Sequence, residues 1–363
     1  MSGRKKSTAE DLLAERKQDH LDLCLREDVG TEHKTTLLEE VELIHEALPD
    51  VSYDQLDTTR KWLGKTLAVP LIITGMTGGT RQAFAVNRDM AKVAEACGIA
   101  FGVGSQRAMQ SRPDSAWTYE VRKYAPTTIV LANIGLGQAC TMKLPEYTPL
   151  IDSLEADGLC LHLNVGQEMI QTEGDRDFRG GLQAFRRLKR GLQVPVIAKE
   201  TGCGISRATA VRLKEAGIRN LDLSGAGGTS WIRIEALRET PGQGPGEVYR
   251  EWGIPTAGSL VQVQGLGLTT IASGGIRTGL DIARAIALGA NIAGVALPVY
   301  QAYRAGGVPG AMEFVEQLVH ELKIAMLLTG SKNLRELGKT DHIRGPKLRQ
   351  WETAPSKRGK GAR

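Results

Sequence analysis

Val69-Pro70-Leu71-Ile72-Ile73-Thr74-Gly75-Met76-Thr77-Gly78-Gly79 is an apolar run that closes on a glycine-rich turn. The turn separates two folds. A doubly wound open sheet would place Gly-x-Gly-x-x-Gly there, with an acidic residue about 20 positions on. The turn Gly75–Gly79 does not carry that fingerprint. Further along, runs of the same kind recur at Ile99–Gly104, Thr128–Asn133, Leu159–Asn164, Val194–Lys199, Leu221–Ser224, Thr269–Gly274 and Ile292–Ala296. They are rich in Val, Ile, Leu and Ala and lack polar alternation, as strands buried on both faces do. Helices fit between them. Arg81–Ala96 stops at Gly98, Ser206 caps a stretch that stops at Gly217, and Thr278 with Asp281 has capping-box spacing before a helix that ends at Gly289. Eight strands alternating with helices over about 260 residues predict an α/β fold, a (β/α)8 TIM barrel with an N-terminal helical extension.

This divides the 363 residues into an extension over 1–66, a barrel over 67–345 and a basic, disordered tail over 346–363. Ser7 with Glu10 marks the start of a helix in the extension, through Leu12, Leu13, Leu21 and Leu25. The Gly/Pro-rich stretch from Glu239 to Gly258 is long for a barrel connection and reads as an insertion around the sixth helix. The net charge of +5 comes from the ends: Arg4, Lys5 and Lys6 at one, Lys357, Arg358, Lys360 and Arg363 at the other, with no acidic residue in either. A body without excess positive charge, with 5% aromatic residues, argues against a nucleic-acid-binding fold. Five cysteines at wide spacing, with no Cys-x-x-Cys, suit reduced thiols in a cytoplasmic protein. No apolar run approaches the roughly 20 residues of a membrane helix.

Chemistry in such a barrel sits at the C-terminal strand ends. Here those ends carry Gly75-Met76-Thr77-Gly78, Ser105 with Arg107, Asn133, His162 with Asn164, Lys199, Ser224, Gly274-Gly275 with Arg277, and Ala296. Polar ends on nearly every strand converge on one binding mouth. Ser273-Gly274-Gly275-Ile276-Arg277 opens a helix and suits a phosphate, through glycine backbone, helix start and the Arg277 fork. The loop Gly225-Ala226-Gly227-Gly228-Thr229 lets a flat ligand approach backbone. Lys199, at the rim of a buried strand, needs an anion or a polarised oxygen. Glu168 fits either Mg²⁺ on a diphosphate or a salt bridge to a neighbouring helix. Arg16, Lys17 and His20 read alone as a solvated helix face.

Taken together, these motifs resemble the type 2 isopentenyl-diphosphate delta-isomerases. The matching pieces are Arg16-Lys17-x-x-His20, Met76-Thr77-Gly78-Gly79, Gly104-Ser105-x-Arg107, Ala132-Asn133-x-Gly135, His162-x-Asn164-x-x-Gln167-Glu168, Lys199-Glu200, Ser224-Gly225-Ala226-Gly227-Gly228-Thr229-Ser230-Trp231 and Ser273-Gly274-Gly275-Ile276-Arg277. The resemblance implies an FMN-dependent isomerase acting on isopentenyl and dimethylallyl diphosphate, with Mg²⁺ on the diphosphate and NADPH as flavin reductant. It implies FMN contacts from Gly75, Met76, Thr77, Gly78, Ser105, Asn133, Lys199, Ser224, Thr229, Gly274, Gly275, Arg277, Ala296 and Leu297. Substrate would meet Arg16, Lys17, Ser105, Arg107 and Gln167, with His162, Asn164 and Gln167 at the reacting carbons and Glu168 on the metal. A homo-oligomer, tetramer or octamer, is implied too. Two positions depart from the pattern: Val165-Gly166 stands where the family usually has Pro-Leu, and Leu297 where many members have Arg.

Two alternatives remain at this level. An FMN-dependent 2-hydroxy-acid oxidoreductase needs a histidine base and an arginine after the sixth strand, where this chain has Ala226 and Thr229. A non-catalytic flavin or prenyl-diphosphate binder would have no need to keep Gln167, Glu168 and Lys199 together.

Overall fold

The computed structural model describes residues 9–239 and 242–352. Ser7, the expected N-cap, and both charged ends lie outside them. Eight parallel strands close into a barrel: β1 (Leu71–Ile73), β2 (Ala100–Gly102), β3 (Val130–Gly135), β4 (Gly158–Leu163), β5 (Val196–Glu200), β6 (Asn220–Asp222), β7 (Thr269–Ser273) and β8 (Ile292–Val295). Each falls within or against one of the eight apolar runs. The ring shuts where Ala293, Gly294 and Val295 of β8 pair with Leu71, Ile72 and Ile73 of β1. The helix signals hold as well. Thr80 caps Arg81–Cys97, whose end turns through Gly98 at φ 63°, and Ser206 caps Arg207–Glu215. Thr278 and Asp281 form the reciprocal capping box that starts Gly279–Ala287.

The extension is woven into the body. Arg60–Trp62 and Lys65–Leu67 form a hairpin, and Trp62 and Leu67 pack with Ile72, Ala100, Ile129, Leu131, Cys160, Ile197, Ile271 and Ile292. These apolar side chains plug the end of the barrel opposite the strand C-termini. Val41–Leu43 pairs antiparallel with His342–Arg344, which ties the extension to the far end of the chain. At the other end of the barrel, α1 (Ala9–Arg26) packs on α2 (Trp231–Glu239).

Two expectations need correction. The tail drawn from residue 346 begins as a helix, Pro346–Glu352. Leu348 is fully buried and the Trp351 carbonyl accepts the Gln262 amide, so this short segment docks on the helix Thr256–Val263. The insertion after β6 also starts earlier than Glu239. It includes α2, whereas Thr256–Val263 packs beside β7 in the place of a barrel helix.

Candidate active site

The strand C-termini, α1 and α2 enclose one hollow of about 1510 Å³, mouth included. Its wall carries Arg16, Lys17, Gly75, Met76, Thr77, Ser105, Arg107, Asn133, His162, Asn164, Gln167, Glu168, Lys199, Ser224, Thr229, Gly274, Gly275, Arg277, Ala296 and Leu297. Every site residue expected from the sequence is there except Gly78, which sits just behind the wall with its carbonyl accepting the Lys17 ammonium. The solvated-face reading of Arg16, Lys17 and His20 is therefore wrong: α1 turns that face inward.

Lys17 Nζ also lies 3.2 Å from the Tyr119 hydroxyl. Burial, reinforced by the charges of Arg16, Arg112 and Arg107, brings the ammonium down to about 7. An anion placed among these four cations would relieve their mutual repulsion. Arg16 itself donates to Gln171 Oε1 at 3.0 Å.

On the barrel axis side, the Asn133 amide nitrogen is committed to the Val103 carbonyl at 3.0 Å. Its oxygen faces His162 Nδ1 at 2.8 Å, so Nδ1 carries the proton and Nε2 is left as an acceptor. Burial, with the charges of Lys199 and Arg107, pushes the imidazole down to about 3. This environment favours the neutral imidazole. Lys199 is salt-bridged to Asp222 at 3.1 Å and donates to its neighbour's carbonyl, Glu200, at 3.1 Å. The Glu200 carboxylate accepts the backbone N–H groups of Thr201, Cys203 and Gly204 at 2.6, 2.5 and 3.1 Å, which fixes the loop leaving β5.

The segment after β4 forms a single helical stretch, Val165–Ile170. A Cβ on Gly166 would fall 2.8 Å from Ile232 Cδ1 and 3.4 Å from Cys203 Sγ. Ile232 of α2 thus occupies the space a larger residue at position 166 would need, and the departure from Pro-Leu is compensated by packing. Glu168 makes no salt bridge among the described residues. Its two oxygens accept the Asn164 amide at 2.7 Å and the Asp175 backbone N–H at 2.8 Å.

Sequence reasoning missed Glu235, which lies behind the wall on α2 and is fully buried. It accepts the amides of Gln167 at 2.8 Å and Gln171 at 2.6 Å, and His20 Nε2 lies 2.7 Å away. Arg238 approaches its other oxygen at 3.4 Å. Burial opposes ionisation, but the His20, Gln167 and Gln171 contacts outweigh it and hold the carboxyl down at about 2. Gln171 was legible in principle, being one helical turn beyond Gln167. Glu235 was not, because nothing local marks an acid inside Ile232-Arg233-Ile234-Glu235-Ala236 as one that faces glutamines 64 and 68 residues away.

The hollow fits a flavin mononucleotide. Thr77 Oγ1 is buried there without a partner, and Ser224 holds φ 36°, a backbone strain found mostly at functional sites. Gly274 and Gly275 adopt φ of 91° and 79°. A Cβ on Gly228 would collide with the backbone nitrogen of Gly275, so the loops after β6 and β7 can meet only as glycine. Asp281 already accepts the N–H groups of Arg277 and Thr278 at 3.1 and 3.0 Å. A phosphate at this loop would be met by glycine backbone and the Arg277 side chain, and less by the helix start than the sequence suggested.

Comparison with known proteins agrees with this geometry. Residues 162–344 match the family of FMN-dependent dehydrogenases. Among solved structures, a mandelate oxidase carrying an FMN adduct superposes with a TM-score of 0.60 at 18% identity, covering 91% of this chain and 100% of that one; this is a likeness of fold. Isopentenyl-diphosphate delta-isomerases are far more similar in sequence. That of Metallosphaera sedula is 41% identical over 93% of this chain and 94% of its own length. That of Methanopyrus kandleri is 40% identical over 93% and 94%, and that of Nostoc sp. 42% over 89% and 93%. The barrel, the glycine-lined flavin hollow and these relatives together place the chain in the FMN-dependent isopentenyl-diphosphate delta-isomerase family.

Proposed function

We propose that the enzyme moves the double bond of isopentenyl diphosphate by adding a proton at C4 and removing one from C2, with no net electron transfer. The observation that carries this is the joining of two residue sets in one hollow: strand-end residues suited to a flavin, and residues of α1 and of the segments after β2 and β4 suited to a diphosphate and its alkene. Reduced FMN, when bound, supplies an electron-rich ring able to stabilise positive charge and exchange protons.

Arg16, Lys17 and Arg107 bind the diphosphate. Glu168 would hold the Mg²⁺ that neutralises the diphosphate; its carboxylate keeps lone pairs beyond the two hydrogen bonds it accepts. Among the described residues no cluster of three acidic, His or Cys side chains forms a closed metal cage. Ordinary acids protonate an alkene poorly and water quenches a tertiary cation, so the chain's main task is a dry, preorganised pocket. α1 and α2 supply its cover. Gln167, anchored through Nε2 to Glu235, orients the alkene, with Asn164 and the neutral His162 beside it. Lys199 would hold the pyrimidine edge of reduced FMN. NADPH would serve as reductant in a cytoplasmic homo-oligomer acting on a small-molecule substrate.

The test is anaerobic. Purified protein with oxidised FMN should be inert and should convert isopentenyl diphosphate once reduced by NADPH or dithionite. Full turnover with oxidised flavin would reject the mechanism.

A further inference from the structure

We infer that Asp222 is a positioning residue that sets the reduction potential of bound FMN by holding Lys199 and offsetting its charge. The inference rests on the proposed placement of the pyrimidine edge of FMN against Lys199. Lys199 and Asp222 are register partners on β5 and β6. On the next strand Asp222 pairs with Ile271, two residues before Ser273. The three polar side chains thus form a row across three adjacent strands: Lys199 Nζ meets Asp222 Oδ2 at 3.1 Å, and the Ser273 hydroxyl donates to Asp222 Oδ1. Lys199 and Ser273 line the hollow, and Asp222 lies just behind them, 2% exposed. Lys199 is its one salt-bridge partner among the described residues.

A buried ion pair is costly to desolvate and is no better for stability than apolar packing of the same volume. Its effect on a bound flavin is specific, however. Two-electron reduction of FMN, with one proton taken at N5, leaves negative charge on the N1–C2=O edge. A lysine with its own counter-ion stabilises that charge less than a free one does. Asp222 therefore holds the flavin at a lower potential, keeping the reduced ring electron-rich, while it fixes the ammonium in place.

The experiment is anaerobic redox titration of the FMN-loaded enzyme against a dye of known potential. Asp222→Asn should favour reduced FMN at least ten-fold, a positive shift of about 30 mV for a two-electron couple. Lys199→Met should shift the potential negative, and Lys199→Met/Asp222→Asn should lie at least ten-fold above Lys199→Met alone. A purely structural role for Asp222 would alter melting or FMN affinity and leave the potentials alone. If Lys199→Met moves the potential while Asp222→Asn matches the wild type, the Asp222 inference is overturned and the flavin placement stands. If Lys199→Met leaves the potential unmoved, the placement itself fails. Should Asp222→Asn not fold or not retain FMN, the double variant is compared with Lys199→Met, and equal potentials there overturn the inference.

Discussion

Replacing Glu235 by glutamine changes one atom's chemistry and should disable the site from behind. The carboxylate is fully buried and serves Gln167, Gln171 and His20 at 2.8, 2.6 and 2.7 Å. Gln167, Gln171 and His20 all meet one oxygen, which a glutamine keeps, but the charge is lost and an NH₂ group is turned on Arg238. Hydrogen bonds to a charged group contribute about 1.5–3 kcal/mol each, so weakening those made by Gln167 and Gln171 should lower the unfolding free energy by about 3 kcal/mol, read from the urea midpoint. Repulsion between that NH₂ and Arg238 displaces the oxygen that anchors Gln167, and a misplacement near 1 Å costs kcat roughly 100-fold. KM should rise too, because Gln171, held by the same carboxylate, is the acceptor of Arg16 at 3.0 Å. The linkage to pH has a definite sign. A carboxyl held at about 2, below its ordinary 4.5, adds stability that is fully present above pH 4.5 and is lost as the pH falls toward 2. The variant's stability curve should flatten over that window. A Glu235→Gln enzyme with wild-type kcat and an unchanged urea midpoint refutes the reasoning.

Further outcomes can be checked separately. Glu168→Gln should depress isomerisation steeply and blunt its Mg²⁺ dependence, whereas an unchanged Mg²⁺ titration returns Glu168 to a purely structural role. Gly166→Leu should destabilise the enzyme by about 1–3 kcal/mol through overpacking, with Ile232→Ala in the same chain restoring much of the loss; an additive double variant contradicts the packing argument. His162, held near 3, should show no NMR inflection at its ordinary 6.5. Since the unfolded chain takes up that proton first, the stability from neutral His162 is complete above pH 6.5 and declines as the pH falls toward 3, a slope that His162→Phe should remove.

The barrel was readable because strands buried on both faces leave an unmixed apolar signature, and all eight runs became strands. Strand-end chemistry was readable for a related reason: each run stops where the chain meets the mouth, so Asn133, His162 and Lys199 announce themselves by position. The cover was harder. In α2, Ile232, Ile234, Glu235 and Ala236 are all buried, since α1 and the segment after β4 pack on it from several sides. That leaves no amphipathic stripe to read. The helix Pro346–Glu352 escaped because Lys347, Arg349, Gln350 and Glu352 give it the composition of a solvated tail, while its stability comes from Leu348 and Trp351 docking on distant residues. Local patterns cannot encode contacts made from outside the segment.

The two-stranded ribbon of Val41–Leu43 with His342–Arg344 has a topological consequence. It buckles residues 41–43 to residues 342–344, so α1, which carries Arg16 and Lys17 on the wall of the hollow, is leashed at its far side to a segment three hundred residues on. Shortening the protein from its carboxyl end would unfasten that buckle. The damage would surface through α1 at the proposed diphosphate contacts, while the flavin cradle built from strand tips stayed whole.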